Sequence, residues 1–188
     1  MGIFEISKQY LSFGITHVIP LGYDHILFIV SIFFLNSNLK SVLIQCSVFT
    51  IAHSISLGLS AANIIIPNTA IIEPLIAFSI VVTSVENIVN DEVKKGRLFV
   101  IGLFGLIHGM GFASALKDIG IAENHFLSSL LFFNIGVELG QVTIILAAYF
   151  LISKWFSSKV WYKQRIVYPL SCITACIALY WTIERILA

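Results

Sequence analysis

The chain has 188 residues, 58% of them hydrophobic and 11% charged, with a mean hydropathy of +0.96. Soluble domains carry about 25% charged residues, so the composition excludes an ordinary water-soluble domain and describes a polytopic membrane protein whose surroundings are a lipid bilayer. A net charge of +1 without any basic stripe excludes nucleic acid as a partner. No long soluble segment fits between the apolar runs, so residues 1–188 read as a single integral membrane domain. Residues 1–9 lack a basic n-region and a clear cleavage site, and no signal peptide is expected.

A membrane-spanning helix needs about 20 mostly apolar residues. Six stretches qualify, at approximately 10–35, 39–62, 69–89, 97–117, 126–152 and 166–187. The predicted fold is all-α, a polytopic membrane helix bundle of six transmembrane helices with the first broken near Pro20–Gly22. A re-entrant piece before residue 20 would make seven. The connections, at 36–38, 63–68, 90–96, 118–125 and 153–163, are short; Pro67 marks a turn, and Pro169 falls in the first turn of the last span. Lys40, Lys94, Lys95, Arg97, Lys154, Lys159, Lys163 and Arg165 fall on one side, and Lys8, Lys117 and Arg185 on the other. The positive-inside rule makes the first set cytoplasmic and puts both termini outside.

The first stretch carries His17, Asp24 and His25 around the break, toward the outer side. Ionisable groups at membrane depth are expensive and mark ion paths, proton relays or metal sites. Broken helices are tolerated there mainly where they line a cavity. A plainer role for Asp24 is to cap the half-helix that follows the break. In the second stretch Thr50, His53, Ser54 and Leu57 share one face by three/four spacing. The third starts near Glu73 and Pro74, where Glu73 suits a helix start, and places Ser79, Thr83, Glu86 and Asn87 on one face.

The fourth holds Gly102, Gly105 and Gly109 as a small-residue strip beside His108, suited to close internal packing or to a dimer. His125, beside an outer loop, reads as solvated. The fifth holds Asn134, Glu138 and Gln141, spaced four and three, and the sixth is bland until Glu184 and Arg185, read as interfacial charges. Phe13, Phe49 and Phe104 each stand four residues before a histidine, although a chain with 15 phenylalanines yields such spacings by chance. Cys46, Cys172 and Cys176 read as small apolar fillers.

Polar faces on five of six spans point to one central cluster, which spares the carboxylates a cost of a few kcal/mol each against lipid. Imidazoles with carboxylates suit a divalent first-row transition metal. The candidate metal set is His17, Asp24, His25, His53, Glu86, His108 and Glu138, with Asn87, Asn134, Gln141 and Ser54 supporting it. For His53 and His108 the alternative is a bond to a backbone carbonyl. For Glu86 and Glu138 it is an inter-helix hydrogen bond made by the protonated acid.

The stretches around Gly14, His17, Gly22, Asp24 and His25, around Phe49 to Leu57, and around Glu73 to Ile80 resemble the HupE/UreJ family of small bacterial membrane proteins. So do Glu86 with Asn87, Phe104 to Ala113, and Phe133 to Gln141; together these cover roughly residues 10–145. Family relatives more often place a histidine five residues before the Asp–His pair, whereas the gap here is six. Asp24 and His25 therefore rank ahead of His17. The resemblance implies a metal permease of the bacterial inner membrane, with nickel its usual cargo and cobalt-related roles in some members.

Two other functions fit the same residues. An intramembrane zinc-dependent hydrolase would use the histidines with a water-activating carboxylate. A channel or accessory subunit for a small neutral solute would use the polar cluster only to hold helices together. No Walker-type glycine loop is present, so the chain itself does not use ATP.

Overall fold

Pro20 has no amide hydrogen to continue a helix, and the chain breaks there. In a computed structural model, which describes residues 3–35, 38–90, 93–94, 96–119 and 125–188 and the side chains of all of these except 113–119, α1 spans Ile3–Val18 and α2 spans Tyr23–Leu35. The two are bent by 67°. At about 1.5 Å per residue they reach about 24 and 20 Å, each short of a hydrocarbon core of about 30 Å. Gly22 closes the turn where a Cβ would strike the His17 carbonyl and crowd Val18.

Then follow α3 (Leu39–Ala61), α4 (Thr69–Val89), α5 (Arg97–Ile119) and α6 (Phe126–Ala148). A π-helical turn, Tyr149–Ser153, carries α6 into the short α7 (Lys154–Phe156). Another, Lys163–Val167, leads into α8 (Tyr168–Leu187), with Pro169 in its first turn as expected. Asn38 and Asn68 cap α3 and α4, accepting from the amides of Ser41 at 3.2 Å and Ala70 at 3.1 Å. The third span thus begins at Thr69, and Glu73–Pro74 lies inside α4 rather than at its start. Of the expected connections, residues 36–37, 91–92, 95 and 120–124 fall outside the described residues.

The protein is an all-helical membrane bundle. Among the described residues, α3, α4, Phe126–Phe156 and Lys163–Leu187 are each long and apolar enough to cross a membrane, and α1 with α2 qualifies as a bent pair. The fourth expected span is α5, whose apolar stretch counts only Arg97–Phe112 among the described side chains. Apolar side chains face outward as well as inward, and polar ones are buried among the inner set. On α3, Ile51 and Ile55 are 62% and 53% exposed while His53 between them is fully buried.

The helix ends sort into two faces. Arg185 at the end of α8 meets Asp24 at the start of α2 and the Glu73 carbonyl of α4. At the opposite face, Arg97 at the start of α5 meets Glu86 near the end of α4, and Lys163 donates to the Asn90 carbonyl. Between them, Ser31, Ser84 and Thr174 form a buried hydroxyl chain with 2.9 Å links across α2, α4 and α8. Cys46 is buried, whereas Cys172 and Cys176 face outward.

Small residues set two close approaches. Gly14 on α1 meets the backbone of Phe133 and Gly136 on α6, and Gly105 and Gly109 on α5 meet the α3 backbone at Phe49 and His53. The strip on the fourth span is therefore used for internal packing. Gly109→Ala would drive a methyl into the His53 carbonyl and Ser56 hydroxyl. The expected result is a loss of about 1–3 kcal/mol, as for other overpacked interiors, read as a lower thermal midpoint of the detergent-solubilised protein.

Candidate metal centre

Four histidines from four helices converge where the break in the first span meets α3, α5 and α6. His17 closes α1, His25 lies in the first turn of α2, His53 sits on α3 and His108 on α5. The ring centroids of His17 and His25 are 4.6 Å apart, those of His25 and His53 5.8 Å, and those of His17 and His53 6.0 Å. One ring nitrogen from each of these three lies within 4.8 Å of the others. A tetrahedral site with metal–nitrogen bonds of about 2.0–2.1 Å needs nitrogens about 3.3 Å apart. Moving each nitrogen inward by less than about 1 Å closes the set around an ion.

Their hydrogen bonding fits such a role. His17 Nε2, His25 Nε2, both nitrogens of His53 and His108 Nδ1 are buried without a hydrogen-bond partner. A structural histidine would tie at least one of these nitrogens to a neighbour, since each unsatisfied polar atom costs about 1–3 kcal/mol. The carbonyl bond considered for His53 is absent. His108 is oriented instead by Ser79. The Ser79 hydroxyl donates to the Ile76 carbonyl at 2.7 Å, so its oxygen accepts from His108 Nε2 at 2.9 Å. That fixes the Nε2–H tautomer and leaves the Nδ1 lone pair free, the arrangement by which a second bond orients a metal-ligating imidazole. His108 lies 5.3 Å from His25 by ring centroid and stands beside the trio.

Aromatic rings wall the site. Phe49 stacks on His53 at 6.0 Å, as its spacing four residues earlier suggests. The rings against His17 and His108 come from other helices: Phe112 at 3.8 Å from His17, and Phe28 and Phe49 at 5.1 and 5.0 Å from His108. A cavity of about 630 Å³ leads in from the surface, with Leu21 at its mouth, Asp24, Glu73 and Arg185 on its wall, and His17, His25 and His108 along it. Fully buried His53 lies behind.

The carboxylates named from the sequence do not join the trio. Asp24 lines the same vestibule but is held by Arg185, whose Nη2 donates to its two oxygens at 3.0 and 3.2 Å. Within the first element, His17 is among the converging nitrogens and Asp24 stands in front of them. Glu86 is paired with Arg97 at 2.5 Å. Arg97 and His108 lie on one helix about 16 Å apart along its axis at 1.5 Å per residue, so Glu86 belongs to the opposite face. Glu138 accepts from Ser47 at 2.9 Å, about 9 Å along α3 from His53.

Of the supporting residues, Asn134 approaches His53 and Gln141 donates to Thr50 at 2.9 Å. Asn87 ties α4 to the Ser31 carbonyl of α2 and to Ser171 of α8, and Ser54 bonds its own helix at the Thr50 carbonyl. His125 stands immediately before α6 and is not among the converging nitrogens. Arg185 does not pair with Glu184, which accepts from Tyr180 at 3.3 Å. Sequence reasoning did not find the Ser79, Ser47 or Arg185 contacts. Ser47 repeats the face of Thr50 and His53 at three-residue steps, a signal that was available.

The fold and the site define a helical membrane protein with a buried histidine cluster at the floor of a vestibule. The family model described as HupE / UreJ protein matches residues 3–185, and the chain belongs to that family. No curated protein and no solved structure matches it.

Proposed function

We propose that the protein transports a divalent transition metal ion, nickel or else cobalt, through the histidine cluster. The observation that carries this reading is the convergence of His17, His25 and His53 ligand nitrogens within 4.8 Å at the inner end of an open vestibule. Neutral imidazole suits nickel, cobalt and zinc, and the family's association with nickel and cobalt favours the first two. An ion enters past Asp24, exchanges water for His17 and His25, and reaches His53 behind them. The membrane is the bacterial inner membrane. Arg97 and Lys163 at the face remote from the vestibule make that face cytoplasmic by the positive-inside rule, so the vestibule opens outward and both termini lie outside.

The arrangement favours transport over hydrolysis. A zinc hydrolase needs a carboxylate or equivalent base beside the metal-bound water. Neither carboxylate stands within the trio: Asp24 lies in front of it against Arg185, and Glu138 lies with Ser47 about 9 Å along α3 from His53. The test is direct. Purified protein is expected to bind one equivalent of nickel, and proteoliposomes containing it are expected to accumulate radiolabelled nickel or cobalt above empty vesicles. Zinc-dependent release of a lipid acyl group, with no uptake, would sink this reading and support the enzyme.

A further inference from the structure

The seam between α3 and α6 continues past the histidines as a row of buried oxygens that accept from nothing. Asn134 donates through Nδ2 to the Leu130 carbonyl at 2.8 Å, leaving Oδ1 without a donor. Gln141, fully buried, donates through Nε2 to Thr50 Oγ1 at 2.9 Å and leaves Oε1 likewise. Glu138 accepts from Ser47 Oγ through Oε1 at 2.9 Å, and its buried Oε2 has no donor. For Asn134 the carbonyl partner fixes which amide atom is free, since a carbonyl can only accept. The three residues share one face of α6. Thr50 and Ser47 recede from His53 along α3 by about 4.5 Å per step. Farther along, Gln45 Oε1 accepts from Arg97 Nε at 2.7 Å, and the row ends.

Helix-packing polar residues pair acceptors with donors, because a dry acceptor costs about 1–3 kcal/mol. Asn134 Oδ1 adjoins His53, but the lone pairs of Gln141 Oε1 and Glu138 Oε2 have no donor and are complementary to positive charge. We propose that Gln141 Oε1 and Glu138 Oε2, reached past Asn134, form a second, oxygen-lined cation station on the side of the histidine cluster remote from the vestibule. This rests on the metal-transport reading and supplies what the histidine site alone lacks. Nitrogen ligands hold late first-row ions more tightly than neutral oxygen ligands do. Conduction requires that an ion which binds can also leave, and several sites of graded strength achieve that. One carboxylate with an amide oxygen gives such an exit, since it still compensates the charge of the ion.

Glu138→Gln separates the two sites. It keeps an oxygen that can accept from Ser47 and removes the charge. The expected result is nickel binding by the purified variant within about twofold of the unsubstituted protein, together with nickel uptake into proteoliposomes slowed at least about tenfold, the pattern of a step lost after binding. Ser47→Ala, which only loosens the carboxylate, is expected to slow uptake by a smaller factor and guards against a misfolded Glu138 variant. Uptake by Glu138→Gln within about twofold of the unsubstituted protein would overturn the proposal, with water then the occupant of the row. A parallel fall in nickel affinity would also overturn it, by making Glu138 part of the histidine site. Absence of nickel binding and uptake in the unsubstituted protein would instead remove the transport reading itself.

Discussion

His25→Ala and His53→Leu are each expected to lower nickel affinity by more than about 100-fold, since even the partners that merely orient metal-ligating histidines are worth about 10–100-fold. His125→Ala, whose side chain stands before α6 and outside the cluster, is expected to change nothing. The informative readout is stability with and without metal. Both ring nitrogens of His53 are buried and unpartnered, so an apolar side chain of similar volume removes an unsatisfied pair and leaves the metal-free protein at least as stable. The stabilisation conferred by nickel, about 2.7 kcal/mol at 100 times the dissociation constant, disappears. A histidine serving only helix packing would behave oppositely: His53→Leu would lower the thermal midpoint of the metal-free protein, and nickel would shift neither form. Thermal unfolding of both proteins, with nickel and with chelator, decides between these outcomes.

The helical bundle and the identity of the converging residues are legible in the sequence because both rest on local chemistry. Length and hydropathy set the spans, Pro20 and Gly22 set the break, and a histidine inside an apolar run stands out whatever surrounds it. Helical periodicity gives the face of a residue but not its depth partner, and the errors of placement lie there. Glu86 shares a face with Ser79, yet Ser79 meets His108 while Glu86 meets Arg97. A count along the spans carries the missing signal: Glu86 sits near the end of one and Arg97 begins the next, so a short hairpin brings them together. The pairing of Asp24 with Arg185 has no such local trace. It joins residues 161 positions apart, through the packing of α8 beside α2 and α4, and a terminal Arg beside Glu184 reads as an interfacial charge until the helices are assembled.

That pairing leads to the second large effect, at the mouth of the vestibule. Arg185 places its guanidinium against both oxygens of Asp24, with a further bond to the Glu73 carbonyl at 3.2 Å and its charge 5.7 Å from the Trp181 ring. It therefore occupies the position from which Asp24 would attract an entering cation. The side chains of Arg185 and Asp24 are 23% and 25% exposed. A pair so open to solvent is worth no more than about 1 kcal/mol, so the contact is readily exchanged for an ion. Arg185→Gln is expected to lower the KM for nickel uptake by about tenfold at low ionic strength, since focused charge in a cleft raises cation capture by at least that order. The gain should shrink toward 0.15 M salt, where the Debye length falls to about 8 Å. Arg185→Lys, which keeps the positive charge, should leave the KM near that of the unsubstituted protein. Adding Asp24→Asn to Arg185→Gln should cancel the gain, because the freed carboxylate is its source. If Arg185 instead only clamps α8 to α2 and α4, Arg185→Gln lowers the thermal midpoint with KM unchanged, and initial uptake rates across nickel concentrations at two ionic strengths separate the two roles.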